Sequence, residues 1–289
     1  MPDIKQIQWF PGHMAKTRRL MKESLPDVDI VLELLDARIP YSSKNPEIKK
    51  IIGDKPTILN KASLADPKVT ADWCRWYRAN VNPCVTLDCL TGEGVTDLKN
   101  TVREVLADKI ARYRDRGMEG RRLKAMIVGI PNVGKSSLIN RLAGGKHAKV
   151  ENRPGVTLTK QWVSTDIGLS LLDMPGVLWP KFDEKRVGEN LAATGAIRDQ
   201  ILDVEEVAMI LALRLAEVAP DLLAARYRLA PGEYEDLDAY DLTELIGKKR
   251  GFLMAGGAVN FRRTAETLLD EFRSGKIGRI SLEKPKGAV

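Results

Sequence analysis

The segment GIPNVGKS, residues 129–136, constrains the fold of this chain more than any other stretch. It has the Gly-x-x-x-x-Gly-Lys-Ser spacing of a phosphate-binding loop, which needs a strand before it and a helix after it. The preceding residues, LKAMIVG, are apolar enough to form that strand. Successive N–H groups of the loop, and the positive end of the helix, would then face phosphate oxygens. The candidate nucleotide-binding residues of the loop are Asn132, Val133, Gly134, Lys135, Ser136 and Ser137.

Two further residues fit a triphosphate site. The apolar strand pattern LSLLD ends at Asp173, and Gly176 follows it in Asp-x-x-Gly spacing. Lys135 would neutralise the terminal phosphates, and the Ser136 hydroxyl would ligate magnesium. Asp173 can hold the magnesium through water, while the Gly176 N–H can meet the terminal phosphate. The short Asp-x-x-Gly pattern becomes informative because it follows the phosphate-binding loop on the next strand pattern.

A mobile hydroxyl that senses the terminal phosphate is expected between these two motifs. The segment NRPGVTLTKQW, residues 152–162, offers Thr157 as the main candidate and Thr159 as the alternative. A purely structural turn remains a third interpretation of this segment. The expected magnesium ligands are thus Ser136, Thr157 and Asp173.

The loops that would read the base come earlier in the chain than the phosphate-binding loop. NKAS, residues 60–63, resembles the Asn-Lys-x-Asp loop by which GTPases read guanine, and LDCLTGEG, residues 87–94, resembles the loop that supports the base. In the usual order both follow the phosphate-binding loop. Circular permutation explains the rotated order, because exposed loops can be cut while the packed sheet is kept. The candidate base-site residues are Asn60, Lys61, Ser63 and Cys89.

The remaining pattern divides the chain in two. From residue 29 to about residue 178, short apolar runs alternate with helical patterns, which is typical of parallel strands with crossover helices. One long helix is expected from Leu98 to Tyr113, and helical patterns dominate after Pro180. We therefore predict an α/β fold: a circularly permuted P-loop GTPase domain at residues 1–180, and a smaller all-helical domain at residues 181–289.

The charge balance favours a polyanionic partner. The 289 residues carry a formal net charge of +7, with a pI near 9.2, and such an excess favours nucleic acid. We expect no membrane association, since the apolar runs are short and interrupted by charge. Three cysteines without metal-ligand spacing suit a reducing compartment, and no signal or transit pattern is evident at the start. A cytoplasmic protein is expected.

Taken together, these segments resemble the circularly permuted GTPase family that acts in ribosome biogenesis. The resemblance covers nearly the whole chain. It implies a GTP-hydrolysing factor that uses GTP/GDP and Mg²⁺ and binds the large ribosomal subunit precursor late in assembly. It also implies that the helical domain contacts ribosomal RNA; we further expect a monomer. The matching segments are QWFPGHMAK (8–16), DARIP (36–40), GIPNVGKSSLINRL (129–142), RPGVT (153–157), DMPGVLWPKF (173–182) and KKRGFLMAGG (248–257).

One residue departs from the family's base-reading loop. That loop ends in Asp, whose carboxylate accepts two hydrogen bonds from guanine, whereas this chain has Ser63. Losing this charge-assisted pair could cost roughly 2 to 4 kcal/mol of base discrimination. Asp66 could substitute only if the loop were reshaped. Because Asn60 and Lys61 remain, GTP is the expected nucleotide, and ATP is a weaker alternative.

The hydrolytic step also departs from the common pattern. The position after Gly176 often holds a Gln that orients water, but here it is Val177. The resemblance implies a GTPase that is slow alone and stimulated by its ribosomal partner. His13 is the candidate for positioning water; a role in shaping a turn or touching RNA is the alternative. A nucleotide-dependent RNA-binding scaffold with negligible turnover is the other function that these features allow.

Asn132 and the basic residues complete the set of candidates. Asn132 matches the position that holds potassium in related potassium-stimulated GTPases, where the cation stabilises transition-state charge. A side-chain hydrogen bond that closes the loop is the alternative. RNA phosphates would bind to basic side chains, although such groups often form only a solvated face. The RNA-binding candidates are Lys248, Lys249, Arg250, Arg273, Lys276 and Arg279.

Overall fold

The computed structural model describes residues 13–53, 55–144, 162–165 and 167–285, with the side chains of residues 13 and 14 left out. Within these residues, six strands form one sheet in the order β3-β2-β1-β4-β6-β5. All neighbouring strands are parallel except β5, which runs antiparallel to β6 at one edge. The strands are β1 (Ile30–Asp36), β2 (Thr57–Asn60), β3 (Cys84–Thr86), β4 (Leu123–Val128), β5 (Trp162–Ser164) and β6 (Leu169–Asp173).

The centre of the sheet explains how a rotated motif order yields one site. β1 is buried along its whole length and lies between β2 and β4, as expected for a parallel strand covered on both faces. Because the strands are parallel, their carboxyl ends meet at one edge of the sheet. That edge brings together the residues after β2 and β3 and those after β4 and β6, whatever their order along the chain. The permuted α/β fold expected from the sequence is confirmed.

Two of the helices that accompany the sheet begin at capping side chains. Asn45 accepts hydrogen bonds from the first N–H groups of α2, and Asp66 does the same for α3. The single long helix predicted after residue 98 is wrong, because the chain breaks at Leu106 into α4 and α5. The helices of this part are α1 (His13–Ser24), α2 (Pro46–Ile52), α3 (Pro67–Asn80), α4 (Val95–Val105), α5 (Ala107–Asp115) and α6 (Lys135–Leu142).

The second part of the chain is helical. Asp203 caps α8 by accepting from Glu205 N and Glu206 N, as its position before an apolar stripe predicts. The buried face of α8, which includes Leu211 and Leu215, packs against the neighbouring helices. These helices are α7 (Lys185–Ala193), α8 (Val204–Val218), α9 (Pro220–Tyr227), α10 (Ala239–Lys249) and α11 (Phe261–Arg273). Among the residues described, no helix is long and apolar enough to cross a bilayer.

After α11 the chain runs back to the sheet domain. Ile280 N donates to Leu64 O at 3.0 Å, and Leu282 N donates to Arg38 O at 2.8 Å. The Trp73 indole N–H donates to the carbonyl of Glu283 at 3.0 Å. Ile280 and Leu282 are buried in the same hydrophobic core as the central strands. The C-terminal segment is therefore part of the packing of both regions.

Candidate nucleotide site

The phosphate-binding loop joins β4 to α6 through a backbone that requires glycine. Gly134 has φ 104° and precedes the first residue of α6. A Cβ at Gly134 would lie 2.3 Å from Asn60 Nδ2, and one at Gly129 would lie 2.5 Å from Leu34 O. Gly176 is equally confined, since a Cβ there would lie 2.7 Å from the Pro131 backbone. The two motif segments thus approach each other closely, as a shared phosphate site requires.

Lys135 lies inside this loop with its ammonium group held by backbone carbonyls. Its Nζ donates to Gly129 O at 3.2 Å and to Ile130 O at 2.8 Å, and the residue is 7% exposed. Burial lowers the pKa of Lys135 to about 8, against the opposing effect of the Asp173 carboxylate. Negatively charged phosphate oxygens would stabilise the charged form of this buried ammonium group, so the site is electrostatically suited to a nucleotide.

Ser136 and Asp173 meet as the motif spacing predicts. Ser136 Oγ donates to Asp173 Oδ2 at 3.3 Å, which places a hydroxyl and a carboxylate side by side next to Lys135. Burial raises the pKa of Asp173, while Lys135 and Ser136 oppose that shift. Oxygen donors of this kind suit Mg²⁺. The third expected ligand, Thr157, and its alternative Thr159 lie outside the described residues.

Asn60 connects the base-reading loops to the phosphate-binding loop. It is 1% exposed; its Nδ2 donates to Val133 O at 2.8 Å, and its Oδ1 accepts from Cys89 N at 3.2 Å. Cys89 contributes its backbone N–H to this contact. Burial raises the pKa of its thiol to about 12. One buried amide therefore fixes the distance between the two halves of the nucleotide site.

Lys61 is held in a backbone conformation that few residues adopt, with φ 62°. Its Nζ lies 2.9 Å from Asp36 Oδ2, and the same carboxylate pairs with Arg38 Nη2 at 2.7 Å. Although burial raises the pKa of Asp36, the charges of Arg38 and Lys61 outweigh it and hold that pKa far below its usual range. Asp36 was not among the residues expected from the sequence. Its position at the end of β1, level with Asn60 on β2, is the signal that could have identified it.

Ser63 takes the place of the family's base-reading carboxylate and is bonded to Asp88. The Ser63 N–H and Oγ both donate to Asp88 Oδ2, at 3.1 Å and 2.5 Å. Asp66, considered as a substitute, instead accepts from Val69 N at 2.9 Å as the N-cap of α3. Its carboxylate is thus used at the start of a helix.

Val177 is buried beside the phosphate-binding loop and offers no polar side chain to a water molecule. It is 1% exposed; its N–H donates to Gly129 O at 3.4 Å, and its carbonyl accepts from Asn45 Nδ2 at 2.7 Å. The main chain of Val177 therefore links the end of β6 to β4 and α2. The side chain of His13, the candidate for positioning water, lies outside the described atoms.

Asn132 reaches the helical part of the chain. Its Nδ2 donates to the Gly195 carbonyl at 2.7 Å, and its own φ is 56°. This hydrogen bond does not close the phosphate-binding loop on itself, because its partner lies beyond α7. The amide oxygen of Asn132 is a separate group that can still face a cation.

The basic candidates occupy two kinds of environment. Arg273 donates to the carbonyls of Ala192 and Ala193 and pairs with Asp199, so it fastens α11 to the end of α7. Arg279 donates to Ala62 O at 2.9 Å and to Ala65 O at 3.0 Å. These two guanidinium groups have structural roles within the chain.

The other four candidates, Lys248, Lys249, Arg250 and Lys276, are exposed. Three of them form ion pairs with glutamates. These pairs are Lys248 with Glu244 at 2.6 Å, Lys249 with Glu233 at 2.7 Å, and Arg250 with Glu271 at 2.7 Å. The two lysine pairs are partly exposed, and such pairs contribute little. Glu271, the partner of Arg250, is buried.

Comparison with known proteins agrees with this site. Residues 124–227 match the family model described as 50S ribosome-binding GTPase. The chain is 47% identical to ribosome biogenesis GTPase A of Priestia megaterium over 98% of both chains. GDP-bound TM YlqF has 25% identity and a TM-score of 0.64, covering 93% of this chain and all of that one. GNP-bound YlqF from T. maritima has 26% identity and a TM-score of 0.60, covering 94% and 99%.

A phosphate-binding loop, its lysine, a hydroxyl–carboxylate pair and the Asn-Lys of the base loop thus occupy one edge of a permuted sheet. Sequence likeness over nearly the full length of a curated relative accompanies this geometry. The chain is a GTPase, and it belongs to the ribosome biogenesis GTPase A family.

Proposed function

We propose that this GTPase acts in late maturation of the large ribosomal subunit, binding the subunit precursor and its ribosomal RNA under nucleotide control. The observation that carries the proposal is the nucleotide edge built by Asn60, Lys135, Ser136 and Asp173. The name of the relatives and the 50S ribosome-binding description of the matching family support the ribosomal part.

The proposed metal site uses Ser136 and Asp173, with Thr157 as the third ligand. Mg²⁺ would neutralise charge on the phosphates when bound. The protein's own contribution is to hold the Ser136 hydroxyl and the Asp173 carboxylate together next to Lys135. For potassium, the proposed ligand is the Asn132 amide oxygen, since the amide nitrogen is already bonded to Gly195.

For catalysis, we propose that His13 positions the attacking water and that the ribosomal subunit stimulates turnover. The buried Val177 side chain supports a need for another water-positioning group, because it cannot hydrogen-bond. α1 begins at His13 and contacts α2. Asn45, the N-cap residue of α2, donates a hydrogen bond to Val177 O. This arrangement links the N-terminal helix region to the segment that follows Asp173.

The proposed RNA contacts are Lys248, Lys249, Arg250 and Lys276. All four are exposed, and the two paired lysines have only partly exposed ion pairs to exchange for phosphate. Arg250 is exposed but pairs with the buried carboxylate of Glu271. Arg273 and Arg279 are assigned to the fold rather than to RNA, because backbone carbonyls occupy their guanidinium groups. We also propose a cytoplasmic monomer.

Nucleotide control would pass through two connections between the site and the helices. The segment after Gly176 continues through Trp179 and Phe182, which pack edge to face at 5.0 Å, into α7. The second connection is the bond from Asn132 to Gly195. Contacts to a terminal phosphate at Gly176 could therefore reorient the helical part.

The test is nucleotide turnover with GTP and with ATP, in potassium, with and without purified large ribosomal subunits. We expect GTP-selective turnover that the large subunit stimulates and the small subunit does not. Equal turnover with and without large subunits would contradict the proposal. Equal affinity for the subunit with GDP and with a non-hydrolysable GTP analogue would contradict nucleotide control.

A further inference from the structure

The pair formed by Ser63 and Asp88 joins the two loops that read the base. Asp88 is 1% exposed, and each of its two carboxylate oxygens accepts hydrogen bonds from a different loop. Oδ2 accepts from the N–H and the hydroxyl of Ser63. Oδ1 accepts from Leu90 N at 2.8 Å and from Thr91 N at 3.0 Å. Four donors from this chain therefore surround the carboxylate, and Ser63 is the partly exposed member of the pair.

Asp88 is ionised in this setting. Burial raises the pKa of Asp88, but the hydrogen bonds from Ser63, Thr91 and Leu90 outweigh burial and hold the pKa below its ordinary value. An ionised carboxylate can only accept hydrogen bonds. The Ser63 hydroxyl must therefore be the donor of the 2.5 Å bond, and its single proton is committed to Asp88. The remaining lone pairs on Ser63 Oγ can only accept.

The hydrogen bond from the Ser63 hydroxyl to Asp88 determines which base the hydroxyl can bind. Guanine presents two donors on this edge, N1–H and the 2-amino group, whereas adenine presents an acceptor at N1. A freely rotating serine hydroxyl can donate to adenine or accept from guanine, and so it discriminates weakly. A hydroxyl whose proton is held elsewhere can accept a hydrogen bond from guanine. Opposite adenine, a lone pair on its oxygen would face the lone pair on N1, and no hydrogen bond could form. Leaving such polar groups unpaired is what makes a binding site selective.

We propose that Ser63 is the base-contacting residue and that Asp88 is a positioning residue that makes the Ser63 hydroxyl an acceptor, so that guanine is preferred without a carboxylate at position 63. The negative charge would then lie on Asp88 in the neighbouring loop, and it would act on the base through the hydroxyl of Ser63. The inference rests on the GTP-dependent function proposed above. Its test reads base discrimination alone and needs no ribosome, so the two proposals can fail separately.

The surrounding contacts fix the loop in the orientation that this role needs. Arg279 holds the carbonyls of Ala62 and Ala65, on either side of Ser63. Ala62 N donates to Leu87 O at 3.3 Å, which ties the first base loop to the start of the second. Asp66, the nearest other carboxylate along the chain, is engaged in capping α3. Within the described residues, Asp88 is thus the carboxylate that the Ser63 hydroxyl binds.

The experiment measures displacement of a fluorescent GDP analogue from the full-length protein by GDP and by ADP. The ratio of the two dissociation constants is the readout, because a merely structural role would weaken both affinities together. Asp88→Asn keeps an oxygen for Leu90 and Thr91 but presents an NH₂ group to Ser63, which frees the hydroxyl proton. We expect the preference for GDP over ADP to fall at least tenfold.

Three further variants make the test decisive. Ser63→Ala should lower the preference similarly, and the double variant Ser63→Ala/Asp88→Asn should lose no more than Ser63→Ala alone, because Asp88 acts through Ser63. The exchanged pair Ser63→Asp/Asp88→Ser should restore the preference. Asp97→Asn, an exposed carboxylate on α4, is the matched control and should leave the ratio unchanged.

An unchanged ratio in Asp88→Asn would overturn the proposal and leave Asp88 as a purely structural link. A further loss in the double variant would also overturn it, since the two residues would then act independently. Thermal melting of each variant identifies any that fail to fold; the exchanged pair then carries the test.

Discussion

The side-chain amide of Asn132 donates a 2.7 Å hydrogen bond to the carbonyl of Gly195, joining the phosphate-binding loop to the segment after α7. Gly195 is itself next to Arg273, which binds the carbonyls of Ala192 and Ala193. Two sets of hydrogen bonds thus connect the phosphate-binding loop to α11 by way of the segment after α7. The same amide has an oxygen that could take a potassium ion, so one residue combines two proposed roles.

Variants of Asn132 should separate these roles. Asn132→Gly keeps the positive φ without strain but removes both amide groups, so GTP turnover should fall roughly tenfold or more in potassium and lose its dependence on potassium. Asn132→Asp keeps an oxygen ligand and should retain the dependence. The measurement is turnover in potassium against sodium; equal potassium stimulation in Asn132→Gly and wild type would rule out the ligand role.

Removal of the Asn60 side chain should damage both halves of the nucleotide site. In Asn60→Ala, Val133 O and Cys89 N lose their buried partner, which should cost about 1 to 3 kcal/mol of unfolding free energy. GDP affinity should fall at least tenfold, because the base loop and the phosphate-binding loop are no longer held together. Titration calorimetry and urea denaturation measure the two effects. Asn80→Ala, on an exposed helix end, is the control and should change neither.

The stability of the nucleotide-free protein should depend on pH through Lys135. Its pKa is lowered to about 8 from an ordinary 10.5, so between these values the unfolded chain binds a proton that the folded chain does not. Stability should therefore rise with pH in this window, by about 2 kcal/mol between pH 7.5 and 9.5.

Lys135→Met removes the titrating group and should flatten that part of the profile. Urea denaturation of wild type and variant at several pH values, without nucleotide, gives the difference. Parallel profiles from pH 7.5 to 9.5 would contradict a depressed lysine pKa. Saturating GDP should also flatten the wild-type profile, since phosphate charge favours the ammonium form.

The C-terminal segment should contribute to the stability of the whole chain through Glu283. Its carboxylate accepts from Tyr41 N at 2.8 Å and from Asn190 Nδ2 at 2.9 Å, and it also binds the backbone and hydroxyl of Ser42. Glu283→Ala removes the carboxylate that accepts from buried Ser42 and Asn190, which should cost about 2 to 4 kcal/mol. Lys284→Ala, at an exposed neighbour, should cost less than about 0.5 kcal/mol. Equal urea midpoints for the two variants would show that the Glu283 contacts are not needed.

The local structure of the candidate nucleotide site was predictable where its parts are short and contiguous. The spacing of Gly129, Gly134, Lys135 and Ser136 dictates a strand, a tight loop and a helix, and the structure contains them. Asp173 was predictable because a parallel strand must end at the same sheet edge. The early position of Asn60 and Lys61 likewise predicted the permuted order. The expected roles of the individual site residues, His13 and Thr157 among them, and the boundary near residue 180 remain predictions.

The single helix expected from Leu98 to Tyr113 was wrong for a local reason. Its apolar residues recur at helical spacing, but periodicity alone does not reveal a break of one residue. Leu106, with φ −102° and ψ 12°, leaves the helical conformation and is buried, so the chain turns there while its apolar side chain stays in the core.

The sequence by itself determined the permuted α/β order and the phosphate-binding chemistry, because these depend on residue types at short spacing. Only the tertiary structure decided that Asp88 accepts a hydrogen bond from Ser63, that Arg279 donates to the carbonyl of Ala62 and that Glu283 binds Ser42. These contacts join residues 25, 217 and 241 positions apart. Spacing cannot specify such pairs, because their distances are set by how strands and helices pack and not by the chain between them.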